Sequence, residues 1–199
     1  TGKGNYKGSA TTTFSIAKKN FKNATVTVEL EAANHTYTGQ AITPAVTKVT
    51  LNNRVLTAGT DYVTSYADNT NAGTATVTVT GKGNYKGSAT TTFAIAPKAV
   101  TVTADNVSKK QGNEDPVLTA SLAGVVNGDN IAYQVARAEG EEPGEYAITV
   151  TGDAAQGNYS VTFVGGTFTI EAAQNPPDDN ETEITTNSSQ DIILPEILL

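Results

Sequence analysis

The residues able to do chemistry are few. His35, in Asn34-His35-Thr36-Tyr37, is the only histidine, and the chain has no Cys, Met or Trp. With no Cys and no second His, it cannot complete a zinc site. It is also the sole imidazole base for a serine nucleophile, and no G-x-S-x-G turn is present. His35 therefore reads as a polar residue near a turn. Asp129, Glu139, Glu141, Glu142 and Glu145 bring several carboxylates together in the last module. A glycosidase pair or a weak Ca²⁺ site can be drawn from them. Yet Glu139–Glu145 (EGEEPGE) reads better as a charged hairpin loop, and no D-x-[DN]-x-[DN]-G calcium loop occurs. The string GKGNYKG has glycines like those of a phosphate loop. It lacks the closing G-K-[ST] and any βα pattern, so it reads as a turn.

Two binding chemistries remain. Tyr37, Tyr62, Tyr66 and Tyr85 are possible ligand contacts, able to stack on sugars if their rings face water. An intramolecular amide bond between a Lys and an Asp or Asn needs a buried Lys beside an acid, which a sequence does not reveal. The expectation is no catalytic residue, no cofactor and no metal.

Charge narrows the partners. Thirteen Lys and Arg against twenty Asp and Glu give a formal net charge of −7. Nucleic acid demands a basic footprint, and so does an electrostatic hold on anionic lipid. No apolar run reaches the roughly 18 residues of a membrane span. The lack of Cys rules out disulfides, and for an exported chain it leans toward a bacterial source. A start in mid-motif, without Met, is expected of a piece of a longer chain.

The elements that must carry these residues repeat. Thr1–Ile16 (TGKGNYKGSATTTFSI) returns as Thr80–Ile95 with one change, Ser15 to Ala94. This means duplication of a whole unit, with residues 1–16 the end of a preceding copy. A diverged third copy shares the plan: GTATVTVTG at Gly73–Gly81 against GEYAITVTG at Gly144–Gly152, GNY at Gly83 and Gly157, then TTTFAI against GGTFTI. The resulting division is 1–16 (end of a repeat), 17–96 (Gly-rich β module), 97–171 (second β module), 172–190 (acidic disordered linker) and 191–199 (an apolar tail of unknown role).

Alternation of period two predicts the strands. In the middle module these are Ala24–Glu29, Ala45–Leu51, Tyr62–Tyr66, Thr74–Thr80 and Ala89–Ile95. In the last they are Ala99–Ala104, Ala132–Ala136, Tyr146–Thr151 and Ser160–Ile170. Leu118–Val126 fits either a strand or a short helical turn. Asn52-Asn53, Ala58-Gly59, Asp68–Gly73 and Gly81–Gly87 supply the reversals. The fold class is all-β: tandem small antiparallel β-sandwich (Ig-like) modules, with a β-grasp-like roll bearing one short helix as the alternative for the last. Ala75, Val77, Val79, Phe93, Ile95, Phe168 and Ile170 should face the cores, joined by Tyr85 or Tyr159. Thr74, Thr76, Thr78 and Thr80 should face water. Cores this small are marginal, so neighbouring units should help to stabilise them.

These stretches carry a resemblance. Tyr37–Val46 (YTGQAITPAV), Gly59–Tyr66 (GTDYVTSY), Asn69–Gly73 (NTNAG) and Gly81–Ile95 look like Gly-rich repeats of Firmicutes surface proteins. Asp115–Leu118 (DPVL), Leu122–Asp129 (LAGVVNGD), Gly144–Thr149 (GEYAIT) and Gly157–Ile170 resemble the MBG ("mostly beta, Gly-rich") domain of bacterial adhesins, with Lys109–Gly112 (KKQG) where many relatives have Tyr-Gly. The resemblance implies a stalk or adhesion repeat at a bacterial cell surface, lifting a distal functional region away from the wall. The implied partners are neighbouring repeats, with a glycan or host matrix protein as a further possibility. The alternative is a carbohydrate-binding module accessory to an extracellular enzyme.

Overall fold

The computed structural model describes residues 3–126 and 128–173. The proposed linker from residue 174 on and the 191–199 tail lie outside the described residues. The middle module contains β1 (Lys19–Asn20), β2 (Val26–Leu30), β3 (Asn34–Thr36), β4 (Val46–Leu51), β5 (Arg54–Val55), β6 (Tyr62–Ala67), β7 (Gly73–Gly81), β8 (Tyr85–Lys86) and β9 (Ser88–Ala96). A single 3-10 turn, Phe21–Asn23, follows β1 and is capped by Asn20, whose side chain accepts from Lys22 N–H. One sheet runs β2-β4-β5 and the facing sheet β3-β9-β7-β6. The last module contains β10 (Lys98–Ala104), β11 (Val107–Lys110), β12 (Ala120–Ala123), β13 (Gln134–Arg137), β14 (Gly144–Thr151), β15 (Ala155–Gln156), β16 (Tyr159–Val164) and β17 (Gly166–Glu171). Its sheets run β12-β10-β16-β15 and β11-β17-β14-β13. The fold is all-β and sandwich-like. Leu118–Val126 supplies β12, a strand, so the β-grasp alternative with its helix does not hold for the last module.

The alternation works as expected. Along β7, Ala75, Val77 and Val79 are fully buried, while the threonines between them keep contact with water. Phe93, Ile95, Phe168 and Ile170 are buried as well, as are both Tyr85 and Tyr159.

Two features depart from the expected antiparallel sandwich. First, parallel pairs occur in both modules, although the β2-β4-β5 sheet is purely antiparallel. In each module an early strand lies parallel to a late one: β1 to β8 and β3 to β9, then β10 to β16 and β11 to β17. Parallel first and last strands make the chain enter one end of a module and leave by the other. Lys98 to Ala104 alone, at strand rise, carries the chain roughly 20 Å. Second, Ser160–Ile170 is not one strand. It breaks at Gly165 into β16 and β17, which belong to opposite sheets. A Cβ on Gly165 would stand 2.7 Å from Ile148 O, and one on Gly166 2.9 Å from Ala104 O. Only glycine permits this crossing. The neighbouring chain crosses at the same level, from β10 to β11, where Asn106 Oδ1 accepts from Thr167 N–H at 2.8 Å. The short strands β1, β3, β5, β8, β11 and β15 escape the pattern because two to four residues carry too few alternations.

Candidate functional site

The side chains that converge most closely do so in two places, the joint between the modules and the far end of the last one. At the joint, β3 delivers Tyr37 beside the end of β9, where its N–H donates to Ala96 O at 2.9 Å. The Tyr37 hydroxyl donates to Asp129 Oδ2 at 2.9 Å. Tyr159 donates to the same oxygen, and the two rings meet edge to face with centroids 5.5 Å apart. Val126 N–H donates to the Tyr159 oxygen at 3.0 Å. A second clasp joins the loops: Asn158 Oδ1 accepts from Ala72 N–H at 2.8 Å, and Asn158 Nδ2 donates to Asn71 Oδ1 at 3.1 Å. Gly39, at φ 79°, lets the middle module come so near that a Cβ there would lie 2.6 Å from a Val126 methyl.

Charge reinforces this geometry. The two phenols hold the Asp129 carboxyl below its ordinary range, Tyr159 foremost. In return the carboxylate raises the Tyr37 hydroxyl, aided by burial, and Tyr159 is raised chiefly by burial. Beneath the polar joint one apolar cluster runs through both modules. It holds Tyr37, Ala75, Val77, Phe93 and Ile95 from the middle module with Val100, Val102, Ile148, Phe168 and others from the last. A second cluster, around Phe21, Val49, Leu51, Tyr62 and Tyr85, fills the other end of the middle module.

At the far end of the last module, Lys109 lies on the inward face of β11 with its side chain 4% exposed. Its ammonium donates to Asp115 at 2.7 Å and Glu141 at 2.5 Å. Arg137 reaches the same two carboxylates and lies 4.7 Å over the Phe168 ring. This places Lys109 beside an acid, the arrangement that amide formation requires. The chemistry, however, needs a neutral amine and a protonated carboxyl, so that water can leave. Here the ionised forms are favoured. Hydrogen bonds from Arg137 and Lys109 lower Asp115 to about 2, and Asp115 and Glu141 raise Lys109. The group is a charge clamp that holds the β11 end against the 137–141 turn.

The sequence-derived contact residues are placed otherwise than a binding platform requires. Tyr37, Tyr62 and Tyr85 are buried. Tyr66 is half-buried, and its hydroxyl donates to Pro44 O at 2.7 Å. The four do not form an exposed row, because strand alternation turns aromatic rings into cores this small. His35 packs edge-on against Phe93, 5.4 Å between centroids, with Nε2 3.3 Å from Ala32 O. Of the carboxylates, Asp129 serves the joint and Glu141 the clamp. Among the described residues no three His, Cys, Asp or Glu side chains converge as metal ligands. No helix there is long and apolar enough to cross a membrane. A hollow of about 300 Å³ within Asp68–Thr74 and another of about 380 Å³ beside Ala132–Gln134 and Thr151–Asp153 are each lined by one carboxylate and no base.

Sequence reasoning does not single out Lys109, Arg137 or Asn158. A signal for Lys109 exists: it shares the inward parity of Val107, and a lysine so placed demands carboxylates. For Asn158 the signal is the Gly-Asn-Tyr motif that recurs at Gly83 and Gly157, but its partners are 86 and 87 positions away.

No curated protein matches the chain. Residues 100–169 match the family described as MBG domain (YGX type), a range that begins within β10 and ends within β17. Over that range the last module is similar to an MBG-type domain.

Proposed function

We propose that this chain is a structural stalk or adhesion repeat of a bacterial cell-surface protein, extracellular, holding a distal functional region away from the cell wall. Its role is mechanical and not catalytic. The observation that carries the reading is the joint: two modules share an apolar cluster and are clasped above it by Tyr37, Asp129, Asn158 and Tyr159. A spacer must transmit position, so its modules must not swivel freely. The parallel first and last strands support the same reading, since they make each module a link traversed from end to end. A net charge of −7 and threonine-rich faces suit an array that stays soluble beside its neighbours. The match of residues 100–169 to the MBG domain adds a repeat-type module to this picture.

Residual dipolar couplings of the 199-residue chain test the mechanics. One alignment tensor for both modules is the expected result. Two independent tensors would sink the spacer reading, because jointed modules cannot set a distance. A glycan and matrix-protein binding screen tests the alternative. Silence is expected, and a reproducible hit weakened by Tyr66→Ala would turn the reading toward recognition.

A further inference from the structure

The chain contains one docking element twice, and one of the two stands unoccupied. In the last module the Gly157–Tyr159 turn receives the tip of the middle module, through Asn158 on Asn71 and Ala72. The middle module carries the same turn, Gly83–Tyr85, at its opposite end. The likeness extends to the backbone. Gly83 and Gly157 adopt φ of 61° and 57°. Lys19 N–H donates to Asn84 O at 2.9 Å, as Lys98 N–H donates to Asn158 O at 2.9 Å. Lys19 pairs with Tyr85 in parallel register, as Lys98 pairs with Tyr159. Both tyrosines are buried. Asn84 is exposed, and its side chain makes no hydrogen bond among the described residues.

We propose that the Gly83–Tyr85 face is a docking site for the tip of a second module of the middle type, seated as the middle module itself sits on Asn158. The proposal rests on the spacer reading. Its occupant is specified by the repeat. Thr1–Ile16 matches Thr80–Ile95 at all but one position, so a module that this segment closes on the middle plan would present counterparts of the Tyr37–Gly39 and Asn69–Ala72 loops. The segment itself calls for that module: Tyr6, Phe14 and Ile16 are 79%, 83% and 82% exposed, whereas their counterparts Tyr85, Phe93 and Ile95 are 6%, 2% and 2% exposed. The two joints differ in one respect. Tyr85 packs on Phe21, 6.2 Å between centroids, and its hydroxyl has no carboxylate like Asp129 to bind. The joint between like modules therefore has the asparagine clasp without the tyrosine–carboxylate bonds and is the more compliant of the two.

The test keeps the full chain and adds residues 17–79 ahead of Thr1, which with residues 1–16 rebuilds a middle-type module. Segmental ¹⁵N labelling separates the near-identical signals. The added module's amide equivalent to Ala72 is expected to exchange up to about tenfold faster after Asn84→Ala, as loss of one net hydrogen bond implies. Asn84→Ala should leave the native Ala72 amide unchanged, and Asn158→Ala should do the reverse. Folding of the added module is read separately from the Ser15 amide, which stands where Ala94 donates to Ala33 O at 2.8 Å. A folded added module indifferent to Asn84 overturns the docking site alone. An unprotected Ser15 overturns the assignment of residues 1–16 and the docking site with it. A native Ala72 amide indifferent to Asn158 overturns the joint on which the spacer reading stands.

Discussion

At the residue scale, two sets of charged hydrogen bonds give the protein an acid-sensitive side. Asp115 is lowered to about 2 and Asp129 is lowered too, by partners that exist only in the folded chain. A carboxyl whose folded pKa lies below its unfolded value of about 4 adds stability that is full above that value and lost as pH falls through the folded one. The melting temperature should therefore hold steady above about pH 5 and decline between about pH 4 and 2. Thermal unfolding followed by circular dichroism checks this. Arg137→Met should flatten the decline as well as lower the melting temperature at neutral pH, because Arg137 is the foremost partner of Asp115 and also covers Phe168. A variant that melts lower but keeps the same acid slope would show that Arg137 acts by packing alone.

At the element scale, the decisive feature is the shared crossing of β10–β11 and β16–β17 between sheets. Each strand pair serves both layers, so the two sheets of the last module are covalently continuous twice over. Gly165→Val should destabilise the chain by about 1–3 kcal/mol in urea unfolding, since its Cβ meets the Ile148 carbonyl and not a side chain that can move. Phe168→Ala, at a position with no exposed surface, should cost about 3–5 kcal/mol. The strand pattern of period two is legible wherever five or more residues alternate, as in β4, β6, β7, β9, β10 and β14. The sheet switch shows only as a change of phase: the inward residues are Tyr159, Val161 and Phe163 in β16 but Phe168 and Ile170 in β17, so their parity flips across Gly165-Gly166.

At the scale of the whole molecule, the larger apolar cluster is closed by both modules together, while the cluster around Phe21 and Tyr85 lies within the middle module. The cluster that begins at Ala75 and Phe93 continues through Val100 to Phe168, so the two modules should unfold in one cooperative transition. Differential scanning calorimetry should show a single peak with equal calorimetric and van't Hoff enthalpies. The double variant Tyr37→Phe, Asn158→Ala removes a hydrogen bond from each half of the joint. It should broaden or split that peak while leaving strand content intact. A sharp single peak in the double variant would assign the coupling to apolar contact and not to the polar clasp.

By itself the sequence determined the all-β class, the 79-residue repeat, the long strands, their inward faces and the MBG likeness of the last module. All but the last follow from local rules: alternation, turn residues, and the comparison of one stretch with another; the MBG likeness rests on resemblance to a known family. Only the tertiary structure decided where Tyr37, Tyr62, Tyr66 and Tyr85 point, which strands run parallel, and what binds Asp129. Those depend on partners far apart in the chain, such as Tyr37 with Asp129 and Ala72 with Asn158. The physical reason is the same in each case. A residue's parity on a strand is set by its neighbours in sequence, but the surface it faces is set by which strand, or which module, is laid against it.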